Sequence, residues 1–250
     1  TTSVRSVAWA TTMANTDLGY LLHSRPYRDS SVICDFLLEH HGRASLLYRG
    51  VRKAGKQGAK GRLLQPFSPL AVTFDGRNEL KTGRLLEPAG APVFLVGRQL
   101  YSGLYVNELL VRLLHKEEPA SDLFRYYQNV ITELRNGQLE ATLRRFERIL
   151  LAELGYELSL QWDVHGQPLQ VDQLYLYEPD QGFLPVATQS IDPGLRQRCF
   201  TGQHLLAINR HAYDDQAVAL AAKKLSRQAL APHLGDKPLR SRELFKQSAQ

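Results

Sequence analysis

The sequence predicts an α+β protein with more than one core: short strands first, long helices after them, and a small acidic hairpin set among the helices. Three observations carry this. The apolar period changes from about two to about 3.6 near residue 90. The charges are segregated into blocks along the chain. The 250 residues exceed the roughly 100–150 of a typical single domain. With 43% hydrophobic and 22% charged residues, the composition excludes the disordered, collagen-like and disulfide-scaffold classes. No apolar stretch reaches the roughly 18–20 residues of a spanning helix, and Val7–Ala14 is too short and polar for a signal peptide. A cytoplasmic protein is the expectation. The only methionine, Met13, is read as the original initiator, so residues 1–12 are set aside from the fold, within an N-terminal extension of 1–16.

Residues 17–90 read as one domain of five strands. Leu18–His23, Val32–Glu39, Ala44–Val51, Leu70–Phe74 and Glu79–Leu86 are apolar-rich. The breaks at Arg25-Pro26, His41-Gly42, Gln65-Pro66 and Asp75-Gly76 supply turn geometry. So many short strands in so short a stretch argue for a small closed barrel, which leaves no exposed sheet edge. Helical spacing then sets in at 98–115, continues from a cap at Ser121 or Asp122 to Leu134, and recurs from Leu139 to Leu154. The period is lost over 156–199, where Tyr175–Tyr177 and Phe183–Val186 read as a hairpin. Helix returns at Asp214–Ala231 and, after Ser241, at Arg242–Gln247. The acidic module 156–199 is thus predicted to interrupt one helical domain made of 91–155 and 200–247.

Charge points to a polyanionic partner. Between Arg43 and Phe74 stand Arg43, Arg49, Arg52, Lys53, Lys56, Lys60 and Arg62, with no acid among them. Between Ile149 and Leu195 the acids are Glu153, Glu157, Asp163, Asp172, Glu178, Asp180 and Asp192, with no Lys or Arg. The C-terminal stretch is basic again through Lys223, Lys224, Arg227, Lys237, Arg240, Arg242 and Lys246. Any single run is ordinarily a solvated surface, but two basic blocks around an acidic one favour phosphate contact. Tyr27, between Arg25 and Arg28, is the best candidate for stacking on a base. Tyr20, Tyr48, Phe67 and Phe74 are further aromatics among the strands, the last two read as core.

Enzymatic motifs are weak. Gly50-Val51-Arg52-Lys53-Ala54-Gly55-Lys56-Gln57 approaches a P-loop, but Gln57 stands where a Ser or Thr would meet magnesium. Gly58 and Gly61 make a following helix improbable. A phosphate-handling enzyme therefore remains the runner-up to a glycine-spaced basic loop that follows a phosphate chain. No catalytic residues are assigned. His40-His41 beside a tight turn lack a recognisable metal-ligand set. Cys34 and Cys199 stand too far apart for a thiolate site and are read as buried apolar residues.

The chain resembles the RecO family of bacterial recombination mediators. The resemblance runs from about Gly19 to Gln247, through Leu22-His23-Ser24-Arg25-Pro26-Tyr27-Arg28, His41-Gly42-Arg43, Leu64-Gln65-Pro66-Phe67, Leu100-Tyr101-Ser102-Gly103-Leu104-Tyr105, Leu143-Arg144-Arg145-Phe146-Glu147, Leu154-Gly155-Tyr156 and Lys237-Pro238-Leu239-Arg240-Ser241-Arg242-Glu243-Leu244-Phe245. It implies an N-terminal OB-fold, a helical domain, and a small zinc-finger-like module that here lacks the zinc cysteines and is expected to be metal-free. It also implies an activity without cofactor. Such proteins bind single- and double-stranded DNA, anneal complementary strands, and act with RecR to help RecA load onto DNA coated by single-strand binding protein, in the bacterial nucleoid. The basic segments and Tyr27 read above supply the DNA-binding candidates, Arg25, Tyr27, Arg28, Arg43, Arg49, Arg52, Lys53, Lys56, Lys60, Arg62, Lys223, Lys224 and Arg227. The acidic, aromatic-ended tail of single-strand binding protein would need an apolar pocket with a cationic rim. Arg125, Arg144, Arg145 and Arg148 around Phe146 and Leu150 are the candidates, against a plain core helix with a solvated arginine face. An RNA-binding OB protein is a third reading, since barrel and basic loop do not distinguish the sugars.

Overall fold

A computed structural model describes residues 14–51, 61–187 and 192–247. Two compact units form, Thr1–Pro92 with His115–Ser121, and Val93–Leu114 with Asp122–Gln250.

In the first unit, β1 (Asn15–Tyr27), β2 (Ser31–Leu38), β3 (Gly42–Tyr48), β4 (Pro69–Asp75) and β5 (Leu80–Pro88) close into a barrel of order β1-β2-β3-β5-β4. Closure depends on the length of β1. Its first half pairs with β4 from Asn15↔Phe74 to Tyr20↔Pro69, its second with β2 from Gly19↔Leu38 to Tyr27↔Ser31, and a bulge near Leu21–His23 lets it bend. Only the β3–β5 pairing is parallel. Alternation on β2, β3 and β4 points Cys34, Phe36, Leu46, Tyr48, Val72 and Phe74 into the core. Two glycines are steric requirements. A Cβ on Gly83 would strike the Tyr48 ring at 2.3 Å, and Gly42, at φ 61°, would place one 1.7 Å from the Glu118 carbonyl oxygen.

The second unit holds α1 (Gly97–Leu113), α2 (Ser121–Arg135) and α3 (Leu139–Glu153). A three-stranded sheet of order β7-β6-β8 follows, with β6 Leu174–Glu178, β7 Gly182–Val186 and β8 Cys199–Thr201. The remaining helices are α4 (Pro193–Arg196), α5 (Gly202–Asn209), α6 (Gln216–Leu234) and α7 (Arg240–Gln247). α6 packs on α3 and α7 on α1, so segments before and after the small sheet share a core. Three elements go beyond the sequence expectation. β8 has three residues, too few for a period; α4 is a single turn capped by Asp192; and α5 begins at a glycine capped by Thr201. α6 also runs past Ala231 to Leu234, with Pro232, which has no N–H to donate, inside its last turn. Among the described residues, no helix is long and apolar enough to cross a membrane.

Candidate nucleic-acid interface

OB barrels bind oligonucleotides over β2 and β3 and in the β1–β2 and β4–β5 loops. Here the register Pro26↔Val32↔Tyr48 aligns the end of β1, the start of β2 and the end of β3. Arg25, Tyr27 and Arg28 therefore stand at the same barrel end as Arg49, which follows β3 directly. Arg28 occupies the left-handed position of the β1–β2 turn, φ 52°, with its guanidinium 5.3 Å from the Tyr27 ring centroid. Arg25 and Arg49 are exposed and form no ion pair among the described residues. Tyr27 is half-exposed, whereas Tyr20, Tyr48, Phe67 and Phe74 are buried and offer no face to a base.

Arg52, Lys53, Lys56 and Lys60 lie outside the described residues, as does most of the near P-loop, but the flanks of their segment are defined. A Cβ on Gly61 would lie 2.9 Å from the Val51 carbonyl oxygen, so the chain leaves and re-enters the barrel at one point. Val51 is buried, Leu63 and Leu64 pack on the core, and Arg62 faces solvent.

Arg43 sits apart from this group. It begins β3, six residues from Arg49, which at about 3.3 Å per residue is some 20 Å along the strand. Its guanidinium is mostly buried, 3.9 Å from Asp35; burial pulls its pKa down, and Asp35 and Glu79 oppose that. Asp35 also accepts a 2.6 Å hydrogen bond from Ser45 Oγ and lies 3.9 Å from His23. Neighbouring cations are matched as well, Lys81 with Glu117 at 2.7 Å and Lys116 with Glu79. The middle of the outer β2–β3 face is thus neutralised and, at Ile33, Asp35 and Leu37, buried. The exposed arginines of β1–β3 lie at or just past the strand ends, at Arg25, Arg28 and Arg49, whereas Arg84, exposed in mid-β5, is paired with Asp75 at 2.6 Å. One residue was missed from sequence: Arg77, exposed in the β4–β5 loop just after Asp75-Gly76, a turn signal that drew no attention to the cation it presents.

In the second unit the basic face of α6 is only partly open. Lys223 pairs with Glu140 at 3.3 Å. Lys224 donates to the Cys199 carbonyl at 2.7 Å and stands 4.3 Å over the Phe200 ring, and burial pulls its pKa down. Arg227 is exposed.

The arginines grouped around Phe146 and Leu150 have different surroundings. Phe146 and Leu150 are both 0% exposed, so neither forms the wall of an open pocket. Arg144 is 5% exposed and pairs with Glu147 at 2.9 Å. Arg145 pairs with Glu133 at 2.6 Å, Arg148 donates to the Ile208 carbonyl at 3.0 Å, and Arg125 pairs with Asp122. Apolar and cationic side chains share a groove elsewhere, of about 640 Å³, lined by Leu174, Phe200 and Leu220 with Arg196, His204 and Lys224, and by one acid, Asp172. Leu220 is 60% exposed there.

A four-cysteine zinc site does not fit this chain, because its two cysteines belong to β2 and β8 and both are free and buried. Burial pushes the Cys34 thiol up to about 12. Among the described residues Asp17, Glu39 and His40 alone bring three potential ligand groups close together. Asp17 is already satisfied there, accepting from Leu18 N, His40 N, His40 Nδ1 and His41 Nδ1 at 2.7–2.9 Å.

Comparison with known proteins adds to this geometry. The family pattern described as "Recombination protein O N terminal" matches residues 13–91, and "Recombination protein O C terminal" matches 96–243. A protein of Pseudomonas paraeruginosa named DNA repair protein RecO is 45% identical over 235 residues, 94% of this chain and 96% of its own. Its namesake in Pseudomonas aeruginosa is 45% identical over 227 residues, covering 90% and 92%. That of Coxiella burnetii is 43% identical over 227 residues, covering 90% and 95%.

Proposed function

The chain belongs to the RecO family of DNA repair proteins, and on that premise we propose that it is a recombination mediator that binds DNA and anneals complementary strands without consuming a nucleotide. One observation carries the reading. The cations Arg25, Arg49 and Arg62, without ion pairs among the described residues, and the half-exposed Tyr27 are grouped around the anchored flanks of the basic 52–60 segment on an OB barrel. Such cations release the counterions condensed on phosphates whatever the sequence, and an aromatic face stacks on any base. Both single and double strands are therefore substrates, and screening two backbones lets them approach. No covalent chemistry is needed. In this reading the protein works in the cytoplasm at the nucleoid and, with RecR, helps RecA load onto DNA covered by single-strand binding protein.

The acidic tail of single-strand binding protein, aromatic at its end, is assigned to the groove beside α6 rather than to α3. There an aromatic ring meets Phe200 and Leu220 while Lys224 and Arg196 face the carboxylates. Lys224→Ala is expected to weaken a tail peptide about tenfold in titration, the worth of one charged hydrogen bond. Arg145→Ala, on α3, is expected to leave it unchanged; the reverse pattern returns the tail to α3.

The central test is hybridisation of two complementary oligonucleotides without ATP. The protein is expected to accelerate it, and replacing Arg25, Arg49 and Arg62 by Ala to remove most of the acceleration. A wild-type protein that leaves the rate unchanged, or one that works only when ATP is hydrolysed, overturns the reading.

A further inference from the structure

The basic stretch Lys237–Arg242 takes no part in the barrel surface, and its setting is unlike that of the barrel cations. It leads into α7, which is laid along α1: Leu239 is buried, Phe245 meets Tyr101 edge-on at 5.7 Å between centroids, and the Arg242 guanidinium stands 5.8 Å from the Tyr105 ring. Glu108 of α1 is the acid nearest the start of α7, and its carboxylate is fully engaged by the helix start. It accepts from Arg240 N and Ser241 N at 2.9 Å and from Ser241 Oγ at 2.6 Å. It is therefore spent on backbone amides rather than on the basic side chains around it. Lys237, Arg240 and, at the start of α1, Arg98 are exposed and form no ion pair among the described residues. Two exposed acids accompany them, Asp236 just before Lys237 and Glu243 on α7. Because α7 runs antiparallel to α1, with its start at Glu108 and Phe245 at Tyr101, Lys237 and Arg240 stand at one end of this packed helix pair and Arg98 toward the other, a cationic ridge along it.

Annealing brings together two polyanions, and a protein with a single cationic surface offers the second strand only what the first has left uncovered. We propose that the α1–α7 ridge is a second nucleic-acid site, reading phosphates without base preference, which takes the incoming strand while the barrel end holds the first. The proposal rests on the annealing reading above. It assigns the two strands to the two units of the chain.

The test compares the full-length protein with K237A/R240A and with R98A/K237A/R240A. The helix start stays capped in both, because Glu108 binds the Arg240 amide and not its side chain, and equal thermal melts check this. Each protein is saturated with one dye-labelled thymidine homopolymer and then offered a second, differently labelled copy, with energy transfer reporting double occupancy. Affinity for the first strand is expected to stay within about twofold of wild type, while double occupancy is lost and hybridisation of complementary strands slows about tenfold. Unchanged double occupancy in both variants overturns the proposal. So does a fall in first-strand affinity that parallels the fall in annealing, which would mean one continuous site. If the wild-type protein holds two strands but does not anneal them, the ridge stands and the annealing reading fails.

Discussion

A guanidinium withdrawn from water must be met by an anion, and one nitrogen of Arg144 meets Oε1 of Glu147, which also accepts from Tyr105 Oη at 2.7 Å, while Arg144 Nε and Glu147 Oε2 have no partner among the described residues. That acceptor and burial together push the Tyr105 hydroxyl pKa far above its usual range. The next residue, Arg145, pairs with Glu133 where water still reaches both. The two arginines are adjacent in sequence and unlike in consequence. Arg144→Ala leaves the Glu147 carboxylate buried and unpaired and is expected to destabilise the protein by about 3–5 kcal/mol. Arg145→Ala is expected to cost at most about 1 kcal/mol. Urea unfolding of both variants measures this, and equal losses would contradict the assignment. The distinction was not legible from sequence: on α3 the spacing of Leu143, Phe146 and Leu150 shows the apolar face, but not that helices far along the chain close over its margin as well.

At the scale of elements, the β2–β3 hairpin is tied to β1 by Asp17, which joins His40 and His41 across 23 and 24 residues of chain. Burial alone would push the Asp17 pKa up; hydrogen bonds from His41 and His40 outweigh it and hold it below 3.8. The same bond, with the negative charge beside it, holds the His40 pKa above 6.5. A lowered carboxylate adds stability above pH 3.8 that is lost as pH falls through its folded value. A raised histidine adds stability below pH 6.5 that is lost as pH rises through its folded value. The barrel is therefore expected to be most stable between about pH 4 and 6.5, with the optimum flattened in Asp17→Asn, as thermal melts across pH would show. A wild-type melting temperature flat over that range would count against the tie. Most elements were readable in advance, because alternation and helical spacing are local: the five barrel strands and the long helices fall within a few residues of expectation. The Asp17 tie, β8 and α5 were not, since each depends on a partner distant in sequence or on a segment too short to carry a period.

Across the whole molecule, charge is sorted rather than mixed. The barrel end carries exposed arginines, and Glu157, Asp172 and Asp180 are exposed in the second unit. Cations that touch phosphate and acids that do not should separate in a salt titration, because the slope of log affinity against log salt counts only counterions released at contacts. Replacing Arg25, Arg49 and Arg62 by Ala is expected to flatten the slope for single-stranded DNA by up to about 2, at about 0.7 per contact. Neutralising Glu157, Asp172 and Asp180 is expected to raise affinity at low salt and leave the slope as it was. Fluorescence anisotropy over a salt series decides between them; a slope that moves with the acids would place phosphates near them.

The meeting of Val51 with Gly61 has a consequence for how this protein can change. A segment whose two roots touch is, to the rest of the barrel, a graft: its length and composition can vary with little strain on the strands that carry it. Doubling such a loop adds only about 0.6 kcal/mol of closure entropy. The number of lysines in the 52–60 segment can therefore drift, or be engineered, almost independently of the stability of the barrel beneath.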